Sequence, residues 1–193
     1  RNSTTSYQHF NLGKIVADLT NEKLSGNDFC HNDPDLVNGA FGQVSSAQSH
    51  LDNQNVDSGD LFLFFGWFRE TEVVNGKFRY KKGAQDHHRI FGWMFIDQKL
   101  VVGTQTKKFR HKYPKYANHP HAIGQWESNN TIYLAPETFL LFKESPIKGF
   151  GKFPMSDRTL LSNCNAPSKR FWDIPDWLDP AKDKNVILVA PHF

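Results

Sequence analysis

The sequence predicts an α+β fold, with two helices packed near the N-terminal half of a curved mixed or antiparallel sheet, or of a sheet closed into a small barrel. Three observations lead there. Helical spacing of apolar residues is confined to Phe10–Leu24 and Phe41–Leu51, and the apolar runs after these are short and divided by turn residues. Gly59–Arg69 is apolar on both faces when read with period two: Leu61, Leu63, Phe65 and Trp67 share one face, and Phe62, Phe64, Gly66 and Phe68 the other. A strand covered on both sides has that pattern, and the aromatic content behind a Gly-Asp turn argues against a short buried helix. Arg89–Ile96 then repeats the chemistry down to an internal Gly-Trp pair.

Length and composition bound the rest. At 193 residues, with 38% hydrophobic and 22% charged residues, the chain can bury one good core and reads as a single domain over residues 1–193. A formal charge of +3 is too small to argue nucleic-acid binding from totals. No run approaches the roughly 18 apolar residues of a membrane span, so no membrane partner is expected. Cys30 and Cys164 are the only cysteines. That excludes a disulfide framework and a four-cysteine zinc site, and favours two reduced, mostly buried thiols over a single Cys30–Cys164 bridge, with no disulfide-linked partner. With no signal-peptide pattern at the start, the expected location is cytoplasmic.

Taken in order, residues 1–9 are a polar lead-in rich in Ser and Thr. In Phe10–Leu24, Ile15, Val16 and Leu19 cluster on one helical side, and Gly26-Asn27-Asp28 ends the helix. Pro34 sits inside a knot of Asn and Asp residues, which is turn chemistry. In Phe41–Leu51, Phe41, Val44, Ala47, Gln48 and Leu51 fall on one face. The central strand follows, then Asn75-Gly76, the strongest hairpin signal in the chain, with Val73-Val74 and Phe78-Arg79-Tyr80 as arms. The two Gly-Trp strands are expected to pair. Thr131–Pro136, Phe139–Phe142, Arg158–Leu161 and Val186–Ala190 read as short strands, Lys148–Pro154 as a loop, and Phe171–Leu178 as a packed aromatic segment.

Four groups of residues could carry chemistry. His31, Asp33 and Asp35 alternate, so on an extended segment they face one way, as an acid–base pair or half of a metal site. The competing reading is a turn around Pro34 whose acids cap their own backbone. His119 and His121 flank Pro120, which favours an extended His119 and both imidazoles on one side, to meet His31 and Asp33 as a metal set, to hydrogen-bond a substrate, or to serve structure. Lys107, Lys108, Arg110, Lys112 and Lys115 interleave with Phe109, Tyr113 and Tyr116, a pattern suited to phosphates and bases or to a solvated loop. Gln43, Gln48 and His50 sit in an apolar neighbourhood, where a Gln reads a base edge or ties a helix to a loop. Asp60 caps the turn before the strand, and Arg69 pairs with a phosphate or a carboxylate. There is no Walker-type loop, Gly-x-Ser-x-Gly elbow or His-Glu-x-x-His.

The run Cys30-His31-Asn32-Asp33-Pro34-Asp35-Leu36, then Phe41-Gly42-Gln43, Ala47-Gln48-Ser49-His50-Leu51 and Gly59–Arg69, resembles the third of the nucleotide-modification-associated domain families. Phe91-Gly92-Trp93, His119-Pro120-His121, Ile132-Tyr133 and the Trp172–Trp177 segment extend the likeness to about Leu178. The resemblance implies a role in nucleobase modification in phages or bacteria, with DNA or a nucleotide as partner. It also implies a further strand-rich segment, bearing Arg, Lys and Asp, ahead of residue 1. The order helix, Gly-Asp, strand is similar in layout to the PUA-like barrels (PUA, ASCH and EVE domains), whose sheet closes around a nucleobase pocket. The expected site then has His31, Asp33 and Asp35 as catalytic residues, and Gln43, Gln48, Trp67, Arg69, His119, His121 and Tyr133 as substrate-binding residues, with Trp67 or Trp93 stacking on a flipped base. Two rivals stand beside an enzyme: a reader of a modified base, and a structural partner protein whose polar knots staple loops. The sequence names no cofactor and no metal.

Overall fold

The computed structural model describes residues 6–7, 10–28, 30–142 and 145–188. In chain order the elements are β1 (Ser6–Tyr7), β2 (Phe10–Asn11), α1 (Leu12–Leu19), β3 (Ala40–Gln43), α2 (Ser45–Asn53), β4 (Leu61–Phe68), β5 (Thr71–Val74) and β6 (Lys77–Tyr80). There follow β7 (His87–Phe95), β8 (Gln98–Val101), α3 (Thr106–Lys112), β9 (Thr131–Leu134), β10 (Thr138–Phe142), β11 (Ser145–Lys148) and β12 (Phe150–Lys152), with four short 3-10 turns. Among the described residues the strands make three two-stranded and two three-stranded sheets, none closed on itself. The fold is therefore α+β with a sheet core, and the open-sheet alternative is the one realised. Among the described residues no helix is long and apolar enough to cross a membrane.

The chain divides into two compact units. The larger comprises Asn32–Phe65, Ile90–Thr159 and Asp173–Phe193. Its β9 is buried at all four positions and pairs antiparallel with β3 on one side and β8 on the other. Side chains alternate across a strand, and this strand uses both faces. Tyr133 enters a cluster with Leu51, Val56, Met94, Ile96, Ala135 and Phe150, while Ile132 and Leu134 enter a second with Ala40, Val102, Phe109 and Ala122. Phe41 packs edge-on to Phe62 and Phe64, both at 5.0 Å between ring centres. β7 lies between β12 and β4, so the two Gly-Trp strands are neighbours as expected.

The smaller unit comprises Arg1–His31, Gly66–Arg89 and Leu160–Trp172. Asn11 caps α1 by accepting the Lys14 N–H at 3.2 Å. Asp18 on that helix accepts the Phe78 N–H at 2.9 Å and so ties α1 to β6. The expected hairpin is β5–β6, and Asn75 (φ 51°) and Gly76 (φ 75°) both take the left-handed conformation of its two-residue turn.

Several elements differ from expectation for local reasons. The helix expected from Phe41 begins at Ser45, because Ala40–Gln43 pairs with Leu134–Thr131 as a strand. Phe41 and Val44 fit helical spacing equally well, and long-range pairing decided between them. The central strand is present, but Leu61 and Trp67 are 46% and 53% exposed, so its ends are not covered on both sides. The segment expected as a loop holds the end of β11 and all of β12, which pairs with β7 through Phe150–Met94. Arg158–Leu161 is a 3-10 turn followed by a single bridge from Leu160 to Arg89 rather than a strand. Residues 186–188 form no strand, and 189–190 lie outside the described residues. Both cysteines are exposed rather than buried, and each lies outside the helices and strands.

Candidate functional site

Within the larger unit the structure gathers Asp33, His119 and His121. Their side chains are 8%, 1% and 6% exposed. The Asp33 carboxylate accepts the backbone N–H of Gly42 in β3, at 3.0 and 3.2 Å to its two oxygens. His119 Nε2 lies 3.5 Å from Oδ1 and His121 Nε2 lies 3.4 Å from Oδ2. Pro120 begins a 3-10 turn over Pro120–Ala122 with His119 as its cap, and this turn aims both rings at one carboxylate. A side chain at Gly42 would overlap the His121 ring, so the bare backbone is what lets that ring lie against β3. Trp126 stacks on His121 with centroids 4.4 Å apart and planes 7° from parallel.

The hydrogen-bond partners assign the ring protons. Asn130 donates through Nδ2 to the carbonyls of His121 (2.9 Å) and Gly103 (3.4 Å), which turns its Oδ1 toward His121 Nδ1 at 2.6 Å. His121 Nδ1 therefore carries a hydrogen. Its Nε2 faces the Asp33 carboxylate at 3.4 Å, where a proton on either atom would join the two. His119 is the opposite case: its Nδ1 accepts the His121 N–H at 3.2 Å, leaving the proton on Nε2. That Nε2 is buried and makes no hydrogen bond. A histidine that ligates a metal through Nε2 normally donates from Nδ1. His119 accepts there, which does not fit a ligand, and no three His, Cys, Asp or Glu side chains among the described residues are arranged to hold a metal ion.

The other expected residues lie elsewhere. Asp35 is buried and wholly occupied as a turn staple. Its Oδ1 accepts the N–H groups of Val37 (3.1 Å) and Asn38 (3.2 Å), and its Oδ2 accepts the Asn38 side-chain amide (2.7 Å). His31 is exposed and belongs to the smaller unit, whereas Asp33 and Asp35 belong to the larger. Gln48, with no exposed surface, donates to Asp52 (2.8 Å) and to the Tyr133 hydroxyl (2.9 Å), and Tyr133 in turn lies 3.2 Å from Gln48 Oε1. Burial, set against the Gln48 bond, pushes the Tyr133 phenol up to about 12. Lys99 closes this network on Asp52 at 2.9 Å. Gln43 is half-buried at the end of β3. Arg69 lies 3.8 Å from Asp86 and over the Tyr80 ring, so a carboxylate is its partner here. Trp67 is exposed with the Lys169 ammonium 3.4 Å from its ring centre.

In the basic stretch, α3 buries Phe109, and Tyr113 and Tyr116 pack against the second apolar cluster. Those rings serve the core, and the lysines and Arg110 face solvent. Sequence reasoning missed Gly42, Asn130 and Trp126. Gly42 stands inside the Phe-Gly-Gln motif, but what presses on it is 79 positions away in sequence (121 − 42). Asn130 carries no signal at all until His121 is seen beside it.

The sequence matches the family described as nucleotide modification associated domain 3 over residues 1–188. No curated protein and no solved structure matches the chain.

Proposed function

Because the chain belongs to the nucleotide modification associated domain 3 family, we propose that it is a nucleic-acid- or nucleotide-directed protein acting in nucleobase modification of DNA, with Asp33 and His121 as its proton-transfer pair. The observation that carries this reading is a buried carboxylate 3.4 Å from an imidazole that is oriented by Asn130 and backed by Trp126. Such a pair can give or take a proton without water. His119 Nε2, buried, 3.5 Å from Asp33 Oδ1 and making no hydrogen bond, supplies a second group that a substrate atom would satisfy. A base reaches these atoms only when it leaves the duplex stack.

Burial favours a second reading, in which the same contacts only clamp residues 32–35 to β3 and to the His119–His121 turn. One substitution separates the two. Asp33→Asn keeps the shape and removes the proton acceptor. Wild-type protein and the variant are each expressed in bacteria, and the nucleosides of co-resident plasmid DNA are measured by mass spectrometry, alongside oligonucleotide binding by fluorescence anisotropy. The enzyme reading expects the modified-nucleoside yield to fall by roughly 10²–10⁴-fold, with binding within about twofold of wild type. A change in melting temperature alone, with neither yield nor binding altered, refutes it in favour of the clamp. Binding by wild type without any modified nucleoside assigns the protein to base reading.

A further inference from the structure

The smaller unit holds a cleft of about 730 Å³ between residues 81–89 and residues 160–169. That volume lies within the range of about 300–1,000 Å³ usual for small-ligand sites. Its walls are fixed rather than loose. Ser162 Oγ accepts the His88 N–H at 2.8 Å and donates to the Lys169 carbonyl at 2.7 Å, so one buried hydroxyl joins β7 to both ends of the second wall. Leu161 donates to the His88 carbonyl and Asn163 to that of Phe171, at 2.9 and 2.8 Å. Trp172 Nε1 donates to His88 Nδ1 at 3.0 Å. Burial, then Lys169, Arg170 and His87, hold His88 below the usual histidine range, so this wall keeps a neutral ring.

The charged side chains lining the cleft are Lys81, Lys82, Arg89 and Lys169 against Glu70 and Asp86. Both acids have their own cations: Lys81 bonds Glu70 at 2.7 Å, and Arg69 lies 3.8 Å from Asp86. Lys82 makes no ion pair among the described residues, and Lys169 faces an indole rather than a carboxylate. The cleft is thus left with cations that an anion would neutralise. Trp67, 53% exposed and in the same unit, carries the Lys169 ammonium over one face of its ring, so the aromatic surface it offers is what remains exposed. A ring system joined to a phosphate is the ligand chemistry that meets both features.

Resting on the nucleotide-directed reading above, we propose that this cleft binds a nucleotide unit, with phosphate on Lys82 and Lys169 and the base stacked on Trp67. The unit comes from a free nucleotide or from single-stranded nucleic acid, and the test separates the two. Full-length protein is titrated against a labelled oligothymidylate over a series of salt concentrations, with thymidine monophosphate and unlabelled strand as competitors. Trp67→Ala is expected to weaken binding roughly tenfold, as loss of one stacked base does, and Trp67→Phe to restore most of it. Lys82→Ala/Lys169→Ala should lower the slope of log affinity against log salt by about 1.4, two contacts at about 0.7 each for single strands. Displacement by the monophosphate supports the cleft as a free-nucleotide site, and displacement by unlabelled strand alone supports it as a strand site. If wild type binds and these variants bind as tightly with the same slope, the cleft assignment is overturned while the nucleotide-directed reading stands. If wild type binds neither probe, both fall.

Discussion

Tyr133→Phe tests whether the Gln48–Tyr133 pair is a piece of the core or a pair of substrate ligands. The substitution removes one oxygen from a side chain with no exposed surface and leaves the ring packing in place. Gln48 Nε2 keeps Asp52 at 2.8 Å, but Gln48 Oε1 loses the hydroxyl 3.2 Å away. An acceptor stranded in the interior costs about 1–3 kcal/mol. For a chain of this size that is about 2–4 °C of melting temperature per kcal/mol. Chemical denaturation and thermal melting read the loss directly. Gln48→Leu is also expected to destabilise, because it strands the Tyr133 hydroxyl and frees Asp52 from one donor. The double variant removes both ends of the bond, while Lys99 still holds Asp52. It should be more stable than the two single losses summed, by on the order of 1 kcal/mol of coupling. Nucleotide affinity of Tyr133→Phe should equal that of wild type. A single-variant loss under about 0.5 kcal/mol, additive singles, or weakened ligand binding at unchanged stability would refute the reasoning.

Two further outcomes follow from the same geometry. Tyr133 holds its proton up to about pH 12 in the fold, against an ordinary value of 10.0. The unfolded chain loses that proton first, so it binds fewer protons between pH 10 and 12 and stability falls as pH rises through that window. The full loss is on the order of 3 kcal/mol, measured by denaturant titration across alkaline pH, and Tyr133→Phe should flatten most of that slope. Gly42→Ala drives a methyl group into the His121 ring, and the overlap should cost about 1–3 kcal/mol. Because Gly42 also donates to Asp33, the variant should shift the imidazole resonances of His119 and His121; unchanged resonances and stability would disprove the close packing.

Local chemistry made some parts of the chain readable in advance. Asn75-Gly76 names its own turn, because few other dipeptides tolerate two left-handed residues in succession, and the hairpin is where it was expected. The aromatic run at Leu61–Phe68 favoured a strand over a short buried helix, and it forms one. His119-Pro120-His121 and Asp33 were legible as chemistry-bearing residues, and their meeting across 86 positions (119 − 33) was only a conjecture from residue types. Phe41–Gln43 was misread as helix because periods of two and of three to four share positions in a short stretch, and only the pairing with Tyr133 and its neighbours resolves them.

What the sequence determined by itself is therefore what depends on neighbours a few bonds away: the α+β class, the turns, the strand types and the inventory of acids, imidazoles and amides. Tertiary structure decided which of those polar groups are occupied. Asp35 spends its oxygens on its own turn, Gln48 and Tyr133 on each other, and Phe109 its ring on the core. Asp33 instead meets two imidazoles whose tautomers are set by Asn130 and by the His121 N–H. The reason is that a polar group taken out of water must find a partner in three dimensions, and that partner is chosen by long-range packing, for which a linear sequence carries no local mark.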